Sequence, residues 1–214
     1  MTDSRSVDID VGEAQRVSGL WLAPEQARAL YVFAHGAGAG MRHAFMEAAA
    51  QGLAERGIAS LRFQFPYMER GSRRPDAPAL AQATVRAAVA VAVQRAPSLP
   101  LFAGGKSFGG RMSSQAQAAA PMPGVRGLVF LGFPLHPAGE PSDARAAHLS
   151  DVQVPMLFLQ GTRDELADLS LLQPLVARLG GHATLRAVAD ADHSFHVPAR
   201  SGRKDAQVLA EVLD

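Results

Sequence analysis

One serine stands inside a glycine-rich stretch, Gly104-Gly105-Lys106-Ser107-Phe108-Gly109-Gly110, directly after the apolar run Leu99 to Ala103. Residues Gly105 to Gly109 fit the pattern G-x-S-x-G. That spacing suits a nucleophilic serine on a sharp turn between a strand and a helix. The flanking glycines let the two elements close around it. The helix that follows points its first amides at the same place, which favours developing negative charge. The chemistry would be acyl transfer, with the Ser107 hydroxyl attacking a carbonyl carbon. An ordinary tight turn carrying an idle serine gives the same local pattern, so the rest of the chain must decide.

A serine nucleophile needs a base and an acid that orients it. Downstream, Asp164 follows the run Val154 to Gly161, and His193 follows the run His182 to Asp190. Each candidate comes just past a strand-like run, in the chain order serine, aspartate, histidine. Glu165 and Asp168 compete with Asp164, but Asp168 is better placed to cap the next helix. His196 competes with His193, and Asp190 and Asp192 fit turn or capping roles. An oxyanion hole is expected from the stretch His35-Gly36-Ala37-Gly38, through the Ala37 amide, with a second donor from the Phe108 amide. His35 is read as bracing that loop, with substrate contact as the alternative. Tyr67, Arg70, Arg73 and Arg74 follow the next strand, where they could meet a substrate carboxylate or simply face water. Arg111, one turn past Ser107, could brace the elbow or line a pocket. His136 and His148 are read as surface residues, and His43 has no assigned role. The stretch Gly36 to Gly40 lacks the G-K-[ST] ending of a phosphate loop. Lys106-Ser107 has that ending, but Pro100 stands where its first glycine should be. No histidine spacing points to a metal, and no cofactor is implied.

The elements that must hold these residues alternate along the chain. Strand-like runs at 29–36, 58–66 (stopped by Pro66), 100–105, 126–134, 154–161 and 182–190 are separated by helical stretches at 43–56, 78–96, 108–120 and 169–180, with a last helix at 204–213. Continuous apolar strands between helices imply a mostly parallel central sheet with helices on both faces. Functional residues then collect at the carboxyl ends of its strands. Residues 7–24 alternate around Gly12 and Gly19, as an antiparallel edge would.

A chain of 214 residues suits one domain spanning 1–214, and 48% hydrophobic against 19% charged residues excludes a disordered chain. A net charge of +1 gives no electrostatic case for nucleic acid or an anionic membrane as partner. The absence of cysteine removes disulfides and thiolate chemistry. Residues 1–10 show no apolar signal core, and no run approaches the ~18 residues of a membrane span. A cytoplasmic location is therefore expected. Lys106 and Lys204 are the only lysines among the basic residues, a bias that, with abundant alanine, points to a GC-rich bacterial genome. The oligomeric state stays open.

The stretches at 33–46, 63–76, 104–114, 131–141, 160–168 and 192–203 together resemble the small lidless α/β-hydrolase-like family, dienelactone-hydrolase-like enzymes being similar. Its animal members include a testis-expressed protein and a subunit of a chromatin-acetylation complex. The resemblance implies an α/β-hydrolase fold without a cap domain and a triad of Ser107, Asp164 and His193. It also favours His193 over His196, because the family often carries lysine at the latter position. A carboxylesterase-like serine hydrolase acting on an ester or thioester of a small acyl substrate is then expected. The alternative is a non-catalytic scaffold or binding module on the same fold.

Overall fold

The computed structural model describes residues 3–12 and 15–214. The expected edge at 7–24 becomes two antiparallel strands, β1 (Arg5–Val11) and β2 (Gln15–Leu22), while Glu13 and Ala14 lie outside the described residues. The central strands are β3 (Ala29–Ala34), β4 (Ile58–Phe63), β5 (Leu101–Lys106), β6 (Val125–Leu131), β7 (Met156–Gly161) and β8 (Ala183–Val188). Their order is β1-β2-β4-β3-β5-β6-β7-β8, with β2 antiparallel to β4 and every later pairing parallel. All strands from β3 onward therefore end at the same edge of the sheet.

The helices are α1 (Ala44–Glu55), α2 (Pro66–Glu69), α3 (Pro78–Arg95), α4 (Phe108–Ala119), α5 (Leu169–Leu179) and α6 (Asp205–Leu213). In α3, Ala81, Thr84, Val85, Ala88, Val89 and Ala92 are buried, a three-and-four spacing that lays one stripe on the sheet. Strand alternation sends neighbouring residues into two cores. Leu30, Val32 and Phe158 join the helix α3–α5 side, whereas Tyr31, Phe33 and Val188 pack with Met46, Val208 and Val212 of α1 and α6.

The strand expected to run to Pro66 ends at Phe63 instead, and Pro66 opens α2. Proline has no N–H to give to a ladder, but its fixed φ suits the first position of a helix. Between β6 and β7, residues 132–155 hold only one 3₁₀ helix, Ala144–Asp151, so no separate cap covers the carboxyl edge. No helix among the described residues is long and apolar enough to cross a membrane.

Candidate active site

Ser107 sits between β5 and α4 at φ +52°, ψ −118°. A non-glycine residue there costs about 1–3 kcal/mol and persists only where its surroundings force it. Close packing supplies the force. A Cβ on Gly105 would stand 2.2 Å from the Ala34 carbonyl oxygen, and one on Gly109 2.5 Å from the same oxygen. The two motif glycines thus clear room for one carbonyl of β3. The Ser107 amide donates to the Leu131 carbonyl at 3.2 Å, and its own carbonyl accepts from Arg111 N at 3.1 Å. The turn is pinned on both sides.

Three strand ends bring the sequence candidates together. His193 Nε2 is 2.8 Å from Ser107 Oγ, and His193 Nδ1 is 2.7 Å from Asp164 Oδ2. A neutral imidazole with its proton on Nδ1 donates to the carboxylate and accepts from the hydroxyl. The Asp164 side chain is wholly shielded from solvent. Its oxygens are occupied as well. Oδ1 accepts from the Leu166 amide at 2.8 Å, and Oδ2 accepts from Gln160 Nε2. Gln160, itself buried, accepts from the Phe133 amide at 2.8 Å and so ties β7 to the segment after β6. Gly132 leaves space beside His193, since a Cβ there would lie 3.4 Å from its ring.

Lys106, to which the sequence reading gave no role, is part of this assembly. Its ammonium donates to the His193 carbonyl at 2.5 Å and lies 6.0 and 5.6 Å from the ring centres of Phe45 and Phe195. Burial pushes its pKa down to about 8, with Asp164 and Asp192 opposing the shift. The residue before the serine therefore holds the loop that carries His193.

The loop after β3 is braced from several directions. His35 has no solvent exposure. Its Nε2 accepts from the Phe65 amide at 3.2 Å, and its Nδ1 lies 2.7 Å from the Gly36 carbonyl and 3.3 Å from the Gly40 amide. Burial lowers its pKa to about 4, so the ring is neutral. Tyr67 Oη accepts from the Gly38 amide at 3.1 Å, and Gln64 Oε1 accepts from the Met41 amide at 2.8 Å. Gly36 lies against the elbow, a Cβ there being 3.7 Å from Ser107 Cβ. The amides of Gly38 and Ala39 are engaged within this framework, whereas those of Ala37 and Phe108 have no partner among the described residues.

The other candidates fall elsewhere. Arg73 is exposed, with its carbonyl beside Gly38, and Arg70 pairs with Asp76. Asp168 caps α5, accepting from the Ser170 amide at 2.8 Å. Glu165 is exposed. His196 is exposed and pairs with Asp205 at 2.8 Å, away from the serine. His43 caps α1. His136 and His148 are not the surface residues expected. His136 is buried and accepts from the Asp168 amide at 2.9 Å, and half-buried His148 meets Ser114 Oγ at 2.7 Å. His136 satisfies a loop amide and His148 a hydroxyl of α4, contacts that hydrophobic periodicity does not reveal. Among the described residues, no cluster of three or more His, Asp or Glu could hold a metal ion.

Solved structures share this fold across the whole chain. A lidless a/b serine hydrolase from Xanthomonas campestris is 24% identical with a TM-score of 0.75, covering 99% of this chain and 93% of that one. A dienelactone hydrolase from Anabaena variabilis is 22% identical with a TM-score of 0.75, covering 98% and 96%. An alpha-beta serine hydrolase homologue from Coxiella burnetii reaches a TM-score of 0.79 at 19% identity, covering 100% and 97%. In sequence, a protein of Mycobacterium tuberculosis named a putative phosphoribosyl transferase is 32% identical over 186 residues, which is 85% of this chain but 40% of that protein. The alpha/beta hydrolase domain matches residues 27–214, a span holding the elbow, the loop after β3 and both partners of Ser107, and the chain belongs to that family.

Proposed function

We propose that this protein is a serine hydrolase cleaving an ester or thioester of a small acyl substrate through an acyl-enzyme. One observation carries the reading: the continuous relay from Ser107 Oγ through His193 to Asp164, at 2.8 and 2.7 Å. Ser107 attacks the carbonyl carbon while His193 Nε2 takes the hydroxyl proton. The carbonyl π electrons move onto oxygen, where the Ala37 and Phe108 amides receive the charge. Collapse expels the alcohol or thiol, which leaves with the proton from His193. Water then repeats the sequence and frees the acid. Asp164 keeps the imidazole in its working tautomer and steadies the imidazolium.

Labelling with a fluorophosphonate tests this directly. Intact protein should gain one phosphonyl group on Ser107, read by mass spectrometry, and Ser107→Ala should gain none. Failure of the wild type to label, under conditions that label an authentic esterase, rejects the catalytic reading in favour of a scaffold.

Lys106 is a positioning residue on this reading. Lys106→Met keeps an unbranched apolar side chain at this position and removes the ammonium, and with it the bond to the His193 carbonyl. We expect kcat to fall about tenfold with KM little changed, because one charge-assisted bond is lost. Thermal unfolding should show Tm level or higher at neutral pH. The depressed lysine pKa means that its charged form costs the fold stability below about pH 8, a cost that fades as pH rises further. A Tm that falls in step with kcat would assign Lys106 to folding alone.

A further inference from the structure

The two faces of the sheet are covered unequally. Ala103, Leu128 and Phe158 belong to the core on the α3–α5 side and are buried. Their neighbours one place along the same strands, Phe102, Val129 and Leu157, face α1 and α6 and are only half-buried. Strands of a parallel sheet are ordinarily covered on both faces. Helix length accounts for the shortfall. The nine residues of α6 reach about 14 Å, whereas the six-residue strands β7 and β8 run about 20 Å. What stays uncovered is a trough of about 730 Å³, within the range of small-molecule sites. It starts at Ile58 on β4, and its floor crosses Phe102, Val129 and Leu157 to the outer strand β8. Five strand spacings separate β4 from β8, about 24 Å. Phe102 stands four residues before the end of β5, about 13 Å, so this floor is separate from the relay at the strand ends. Thr184 and Arg186 of β8 form the outer lip. Both are exposed, and Arg186 has no hydrogen-bond or ion-pair partner among the described residues. The carboxylates that also line the trough are already answered: Glu211 pairs with Arg203, and Asp214 with Arg56 at 2.5 Å.

We propose that this trough binds a free long-chain fatty acid, with its chain lying across the strands and its carboxylate on Arg186. Shape and charge agree on that occupant. The trough is long and apolar, so an unbranched chain laid along it takes Phe102, Val129 and Leu157 out of water. The unanswered charge on its lip is a cation, so the head group is an acid. A planar guanidinium takes a carboxylate through two parallel hydrogen bonds, which fixes the head at the outer edge. A second copy of the chain fits less well, because two concave surfaces facing each other leave the space between them unfilled. The site stands apart from Ser107 and does not depend on what that serine does.

The test follows displacement of cis-parinaric acid, a fluorescent fatty acid, by dodecanoate and by 1-dodecanol, which has the same chain without the charge. Wild type should bind the probe and release it to both competitors. Arg186→Gln should weaken dodecanoate about fivefold and leave 1-dodecanol within about twofold. Thr184→Trp, which fills the lip from an exposed position, should weaken both. Added salt should weaken dodecanoate relative to 1-dodecanol in the wild type, an arm that needs no variant. A wild type that binds no probe, dodecanoate unmoved in Arg186→Gln, equal losses of acid and alcohol in that variant, or both ligands unmoved in Thr184→Trp overturns the proposal. Binding that survives both variants and is abolished by phosphonylating Ser107 places the fatty acid beside the serine instead. A dimer that Thr184→Trp breaks, with no probe bound, gives the face to a second copy and also overturns it.

Discussion

His193→Ala should cut kcat/KM for a simple ester by about 10⁴-fold or more, whereas His196→Ala should leave it within about twofold. The two histidines are three positions apart in one loop, and local sequence hardly separates them. Geometry separates them fully. His193 is held between Ser107 and Asp164, while His196 faces solvent beside Asp205. The aspartate raises the His196 pKa, so near neutral pH that ring is more often charged and a poorer proton acceptor. Steady-state kinetics on both variants, with folding checked by circular dichroism, decides the matter. Large loss in His196→Ala with activity kept in His193→Ala would reverse the assignment of the base.

Gly109→Ala should be among the most damaging substitutions available without touching a reacting group. The new methyl would stand 2.5 Å from the Ala34 carbonyl oxygen and 2.6 Å from its carbon, both backbone atoms in the middle of the sheet. Neither β3 nor α4 can yield without moving Ser107 from its strained turn. We expect a loss of about 3 kcal/mol or more, a large part of the 5–15 kcal/mol by which ordinary domains are stable. Urea unfolding of the variant measures it. Gly139→Ala serves as the contrast: a Cβ there meets nothing within 4 Å, though its φ of +75° still disfavours alanine. Its cost should be about 1 kcal/mol. Equal losses at the two positions would show that the elbow has more slack than these distances allow.

These two cases also show what a sequence can carry. Ser107, Asp164 and His193 were legible because each follows an apolar run that ends at one edge of a parallel sheet, so chain order stands in for position. The Asp168 cap was legible because capping is local. Lys106 was not, since its partner is a carbonyl 87 residues away and its place in the motif is one where any residue type is admitted. Burial of His136 was equally hidden. It depends on a loop from β6 meeting the Asp168 amide, and loops have no period to read. Arg111 could be located but not interpreted: its Nε is buried without a hydrogen-bond partner, and an unmet bond appears only when every neighbour has been placed.

The sheet order has a consequence for how competence arises. His193 stands 86 residues beyond Ser107, just past β8, which is the last strand in the chain and an outer edge of the sheet. Contacts so distant in sequence form late, since a long loop must close before they give any return. A chain emerging from synthesis exposes Ser107 well before His193 exists to activate it. A serine without a base beside it is a poor nucleophile, so on the proposed function incomplete chains would stay inert toward esters and thioesters. On the hydrolase reading, turnover would begin only when the last strand docks, so the onset of activity would be a clock for completion of the fold.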